Sequence, residues 1–247
     1  MNTAEPHVPT PSLCSEVQTS SILTRASTAK AVSHSRAAVA CLFAAAALAL
    51  AGCSKPTAGS SIPARPLLVI ALDRSGSMAQ DEVRFAQFEA LDACTNHALV
   101  KHMPTAVFLF DSEPMEVYGP RVPHSEEDMY SIKQTLLHPG GRRRYTRPAR
   151  LLSRLLTVVE KRSSQQVLAV LLTDGDSELA RDEPLFRDVA SKLRNAPGLR
   201  MLVAGIRPEN RQRWRTAFDG MDDRRLRLAG PGPEMSQAVP EFLQAAE

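Results

Sequence analysis

Near-continuous apolar runs of strand length, separated by stretches of helix length, constrain this chain more than any other feature. They fall at residues 67–72, Thr105–Phe110, Val167–Leu172 and residues 200–206. The first reads Leu-Leu-Val-Ile-Ala-Leu, with no polar residue to turn toward water. A strand exposed on one face alternates apolar and polar side chains, whereas one covered on both faces is apolar throughout. Such strands belong to mainly parallel sheets, where neighbours need a crossover segment, usually a helix, between them. Right-handed crossovers then cover both faces. The expected class is α/β: a doubly wound, mainly parallel open sheet with helices on both faces.

The intervening segments agree. Residues 81–101 show helical periodicity through Val83, Phe85, Phe88, Leu91 and Leu99, and residues 115–118 read as a short edge strand. A helix is expected from Ser125 to about Leu137, with Glu126, Glu127 and Asp128 at its electropositive end. His138-Pro139-Gly140-Gly141 breaks it, and Thr146 and Pro148 then open a helix carrying Leu151, Leu152, Leu155, Leu156 and Val159. Helices near 184–195, 209–218 and 235–246, with a last strand near 226–228, complete the pattern.

The first third of the chain is different in kind. Residues 1–36 are rich in Ser, Thr, Ala and Pro and show no period, as expected of a segment unable to offset its ordering entropy. That stretch is longer than a leader needs, so translation is expected to begin further downstream. Arg36 precedes an Ala/Leu run of about 15 residues, short of the roughly 18 of a membrane-spanning helix. The run ends Leu50-Ala51-Gly52-Cys53, which resembles the bacterial lipoprotein cleavage box. The resemblance implies cleavage before Cys53 and a diacylglyceryl group on its thiol. With Ser54 rather than Asp following, it also implies outer-membrane placement. The expected organisation is a leader over 1–52, a lipidated Cys and Ser/Pro/Ala/Gly linker over 53–65, and a domain over 66–247.

Of the four cysteines, Cys14 and Cys41 fall in the leader and Cys53 takes the lipid, so Cys94 is left as a small core residue with no disulfide partner. With 30 Lys and Arg against 27 Asp and Glu, the net charge of +3 gives no electrostatic case for nucleic acid.

Chemistry is expected where strands end. Asp73, Ser75 and Ser77 follow the first run at two-residue spacing, on a loop expected to be free of the sheet's hydrogen-bond ladder. Asp174 follows the run Val167–Leu172, and Thr146 follows the Gly-Gly loop. Ligands of open α/β sheets bind at the carboxyl ends of central strands, and convergent oxygens suit a hard cation such as Mg2+. Neutral serine hydroxyls would leave the ion electron-poor and attractive to a carboxylate. For Thr146, a plain helix cap is the competing reading.

The Asp-Arg-Ser-Gly-Ser-Met segment, with Asp174-Gly175 behind its strand, resembles the metal-ion-dependent adhesion site of von Willebrand factor A domains, which include the integrin inserted domains. The likeness runs from about Pro66 to Ala246. It implies a doubly wound sheet with a metal at its upper edge. Asp73, Ser75 and Ser77 would be first-loop ligands, Thr146 the second-loop threonine, and Asp174 would usually act through a water. It further implies Mg2+, with Mn2+ or Ca2+ as substitutes, and a protein partner that brings a carboxylate. Apart from the resemblance, Arg142, Arg143, Arg144 and Arg147, with Arg150 nearby, read either as a basic rim for an acidic partner or phosphate groups or as a solvated loop and helix face. His97 and His102, five residues apart, do not make a ligand pair. The expected role is adhesion, scaffolding or assembly rather than catalysis. A metal-dependent phosphoester hydrolase lacks a recognisable nucleophile, and a metal-free tethered scaffold is the remaining alternative.

Overall fold

Strands β1 (Leu67–Asp73), β2 (Thr105–Phe110), β3 (Pro114–Arg121), β4 (Val167–Leu172), β5 (Leu199–Ala204) and β6 (Leu226–Ala229) form a six-stranded sheet of order β3-β2-β1-β4-β5-β6. The computed structural model describes residues 65–137, 146–162, 165–176 and 180–246, all within the unit Ser60–Glu247. All neighbouring pairs are parallel except β2 with β3. The chain winds outward from β1 on one side and from β4 on the other. The strand order therefore reverses between two strands that are buried along their whole length. A crevice at the carboxyl ends of such a pair is where this architecture accepts ligands.

Alternation along each buried strand sends side chains to two separate cores. Leu68, Ile70 and Leu72 pack with α1 (Asp81–Val100), α2 (Glu126–Leu137) and α6 (Pro233–Gln244). Leu67, Val69 and Ala71 pack with α3 (Pro148–Lys161), α4 (Glu183–Arg194) and α5 (Pro208–Ala217). The second core contains the chain's one tryptophan, Trp214, edge-on to Phe186 at 5.1 Å and stacked on Phe218 at 6.0 Å. Among the described residues, no helix is long and apolar enough to cross a membrane.

The structure corrects the sequence expectations in three places. In α1 the buried stripe is Ala86, Ala90, Leu91, Cys94 and Ala98, while Phe85 is 64% exposed. Apart from Leu91 the inner face carries small side chains, which let this helix lie close to the sheet and to α6, and Phe85 is turned outward. The edge strand extends over Pro114–Arg121, held by antiparallel pairing with β2. Asp73 is not free of the ladder: it is the last residue of β1, in register with Phe110, and the Arg74 N–H still donates to the Phe110 carbonyl at 2.9 Å. Cys94 is a buried free thiol, and burial pushes its titration well above that of an ordinary thiol.

Candidate metal centre

Asp73 ends β1 with its side chain 1% exposed, and its two carboxylate oxygens are held from opposite sides. One accepts the Ser75 N–H at 2.8 Å and the other the Thr173 hydroxyl at 2.6 Å. Its carbonyl accepts from Gln87 Nε2 at 3.0 Å, a buried amide that also reaches the Leu172 carbonyl at 3.5 Å. Gln87 thereby bridges the ends of β1 and β4. Burial raises the Asp73 carboxyl from 3.8 to about 7. The nearby Asp174 charge adds to the rise, and the hydrogen bonds from Thr173 and Ser75 oppose it.

That shift has a definite pH consequence. Because the folded-state value is raised, the protonated form of Asp73 stabilises the metal-free fold fully below pH 3.8, and this contribution is lost as pH rises through about 7. A divalent ion held by Asp73 would have to displace the same proton, so its affinity would increase between pH 6 and pH 8 and level off above. Calorimetry in two buffers of different ionisation enthalpy checks this. Binding that releases no proton at pH 6 would contradict it.

Ser75 is buried and Ser77 half-buried, and their hydroxyls lie 2.9 Å apart. A 3-10 turn over Gly76–Ala79 brings them together, closed by the Met78 N–H on the Ser75 carbonyl at 3.2 Å. The Met78 side chain at the end of this turn is buried.

Asp174 stands at the end of β4, 2% exposed, beside the end of β1. Its Oδ1 accepts the Asp176 N–H at 3.1 Å. Its Oδ2 is buried without a hydrogen bond and lies 3.4 Å from Arg207 Nη2, an ion-pair distance. The Asp174 carbonyl accepts from the Arg207 N–H and from Asn210 Nδ2, each at 3.1 Å. Gly175 adopts φ +76°, and a β-carbon there would sit 2.9 Å from Trp214 Nε1, which donates to the Gly175 carbonyl at 3.1 Å. Only glycine allows both the turn and this contact.

Thr146 is 1% exposed and reaches the same sheet edge through its neighbour, since the Arg147 N–H donates to the carbonyl of Asp111, the residue after β2. It does not cap α3, because that helix begins at Pro148 and the cap position is Arg147. The Arg147 guanidinium is committed inward. It grips Asp182 bidentately at 2.6 and 2.9 Å and reaches Glu113 at 3.2 Å. The hydrogen bonds between them push Arg147 further up and hold the Asp182 carboxyl below its usual range. Arg147 would have to leave two carboxylates to serve as a partner-binding rim residue. Arg150 lies on the exposed side, 3.8 Å from Glu113. Cys53, the linker up to residue 64, the Gly-Gly loop, Arg142, Arg143 and Arg144 lie outside the described residues.

No family model matches the chain, and no curated protein matches it. Solved structures do. A von Willebrand factor type A protein from Catenulispora acidiphila superposes at TM-score 0.56 and 19% identity, over 73% of this chain and 42% of that one. Manganese-loaded TRAP protein of Plasmodium vivax gives 0.54 and 18%, over 73% of this chain and 74% of that one. Proximal thread matrix protein 1 of the mussel byssus, with a zinc-occupied adhesion-site motif, gives 0.53 and 15%, over 74% and 48%. The fold is that of a von Willebrand factor A domain. This chain spans less than half of the first of these proteins, and at such identities it is the A-domain fold that is shared.

The side chains present in this A-domain fold suit a hard divalent ion. Among the described residues no three His, Cys, Asp or Glu side chains gather into a metal-holding group. The cluster at the β1/β4 switch point instead combines two buried carboxylates, one with an orphaned oxygen, and the paired hydroxyls of Ser75 and Ser77. Oxygen-only donors of this kind favour Mg2+, Mn2+ or Ca2+ over thiolate- or imidazole-seeking metals. Sequence reasoning missed the residues that hold the cluster in place: Gln87, Thr173, Arg207, Asn210 and Trp214. Thr173 could have been found from its place between a buried strand and Asp174. Gln87 was signalled only by being polar between Ala86 and Ala90 on the inner side of α1.

Proposed function

We propose that this protein is an exported bacterial lipoprotein, tethered through Cys53 and favouring the outer membrane. Its A-type domain would capture a protein partner by a carboxylate, at a divalent ion held by Asp73, Ser75, Ser77, Thr146 and Asp174. The role is one of binding, in adhesion, scaffolding or assembly. The support is the cluster itself, in which two buried carboxylates meet at adjacent strand ends, one with an oxygen that accepts no hydrogen bond, and the first of the two loops pairs the Ser75 and Ser77 hydroxyls. Such an arrangement costs free energy that the Arg207 guanidinium, 3.4 Å from Asp174, offsets only in part. Two proteins of the same fold, from Plasmodium vivax and the mussel byssus, are described as manganese-loaded and as zinc-occupied.

Bound there, a hard divalent ion would leave a coordination position open to an incoming acid. The chain's own residues do the rest. Thr173 and the Ser75 N–H aim the Asp73 oxygens, Gln87 fixes the strand ends against one another, and Trp214 with Asn210 sets the third loop. With Mg2+ present, a partner is expected to be retained on the immobilised full chain from solubilised cell envelope and released by EDTA. The melting transition should persist after chelation. A partner held equally well in EDTA would remove the metal from the mechanism.

A further inference from the structure

We propose that Arg207 is a built-in competitor for the metal, a tethered cation that neutralises Asp174 when no ion is bound and so sets the concentration at which the site loads. This rests on the metal reading above and deepens it.

The backbone forces Arg207 into position. After β5 the chain turns at Gly205, with φ +97° and so little room that a β-carbon would meet the Thr173 carbonyl at 3.0 Å. Gly205 and Ile206 both donate to the Ala229 carbonyl at 3.0 Å, and Ile206 is fully buried. The next residue is then delivered to the end of β4, where the Arg207 N–H bonds the Asp174 carbonyl at 3.1 Å. From that anchor the side chain places Nη2 3.4 Å from Asp174 Oδ2, an oxygen that is buried and without a hydrogen bond.

The two side chains differ in freedom. Asp174 is enclosed, its side chain 3% exposed, whereas the Arg207 side chain is 36% exposed and can swing toward solvent. An isolated buried carboxylate is costly, and a guanidinium at ion-pair distance offsets part of that cost in the metal-free state. A divalent ion needs the same carboxylate, and a fixed positive charge beside it would repel it. Arg207 therefore stabilises the metal-free form and destabilises the loaded one. Both effects act against binding, and both disappear when its charge is removed.

The test is titration of the full chain in detergent with Mn2+ alone, followed by calorimetry and by the spin-resonance signal of free Mn2+. Arg207→Gln is expected to bind Mn2+ roughly threefold to tenfold more tightly than the unmodified chain, the order of one partly exposed charge interaction. Arg207→Lys, which keeps the charge, should remain near the starting affinity. In an Asp174→Asn background the gain from Arg207→Gln should shrink, because only the direct repulsion of the ion is left to relieve, a result that a general loosening of the loop would not give. If the unmodified chain binds Mn2+ and folded Arg207→Gln binds it no more tightly, the competitor role is overturned and the metal site stands. If neither chain binds Mn2+ while both melt cooperatively, the metal site itself falls and the role of Arg207 with it.

Discussion

Replacing Asp73 by Asn is expected to abolish divalent-metal binding and, at pH 8, to raise the thermal stability of the metal-free protein. The two effects have one cause. Asp73 is buried at the end of a central strand, next to a second carboxylate, and burial has moved its titration from 3.8 to about 7. At pH 8 the metal-free fold therefore carries an ionised group that its surroundings disfavour, at a cost on the order of a few kcal/mol. The amide has nearly the same shape. It keeps one acceptor for the Ser75 N–H and turns its NH2 toward the Thr173 hydroxyl, which becomes the acceptor. The variant loses the negative charge a divalent ion requires, so affinity should fall by at least about a hundredfold, beyond what loss of an outer-shell contact brings. Melting curves in EDTA and Mn2+ titrations read the two effects separately. Retention of Mn2+ binding by Asp73→Asn would sink the assignment of Asp73 as a ligand.

Asp182→Ala is expected to be among the most destabilising single substitutions on the surface around the site. Asp182 lies under the Arg147 guanidinium, with side-chain exposures of 6% and 14%, and the pair is bidentate. Removing Asp182 leaves the enclosed guanidinium with only the more exposed Glu113 as partner and costs about 3 kcal/mol. In a domain of this size that lowers the melting temperature by roughly 10 °C. The double replacement Arg147→Met with Asp182→Leu should recover most of the loss, because no charge is then stranded. Thr146 directly precedes Arg147, so the single variant should also weaken Mn2+ binding without touching a proposed ligand. The pH dependence follows from the depressed Asp182 carboxyl. The pair's contribution is present above 3.8 and is lost as pH falls through the lower folded-state value. A change below about 1 kcal/mol in Asp182→Ala would show the pair to be solvated like an ordinary surface bridge.

The centre of the sheet was legible in the sequence because β1, β2 and β4 are buried along their whole length and β5 nearly so. For Thr105–Phe110 and Val167–Leu172 the apolar run and the strand share the same bounds. Helix existence was equally legible, but the buried side of α1 was not. Its inner stripe is mostly alanine; Leu91 and Val83 marked the buried side, but Phe85 faces outward and pointed to the wrong one. Close packing selects small side chains where backbones approach, and side-chain size alone then misleads. At the candidate site, Asp73, Ser75, Ser77 and Asp174 stood out in the sequence because each ends or follows a buried strand at short spacing. Arg207 was not. It belongs to another strand end and reaches Asp174 only through the turn at Gly205 and its bonds to Ala229. Gln87 was hidden for the same reason, since its partners, the carbonyls of Asp73 and Leu172, come together only once β1 and β4 pair.

The placement of Asp73 at the carboxyl end of β1 also bears on mechanical load. A grip on Asp73 and a pull on the chain ahead of Arg65 act on opposite ends of the same strand, about 23 Å apart for its seven residues. This strand is paired in parallel on both sides, to β2 and to β4. Tension along it is carried as shear by two ladders together, so their hydrogen bonds must give way collectively instead of unzipping singly. A pull on either edge strand, β3 or β6, could peel a single ladder from its end. The proposed site and the N-terminal side of the domain are thus joined through one strand held by ladders on both sides.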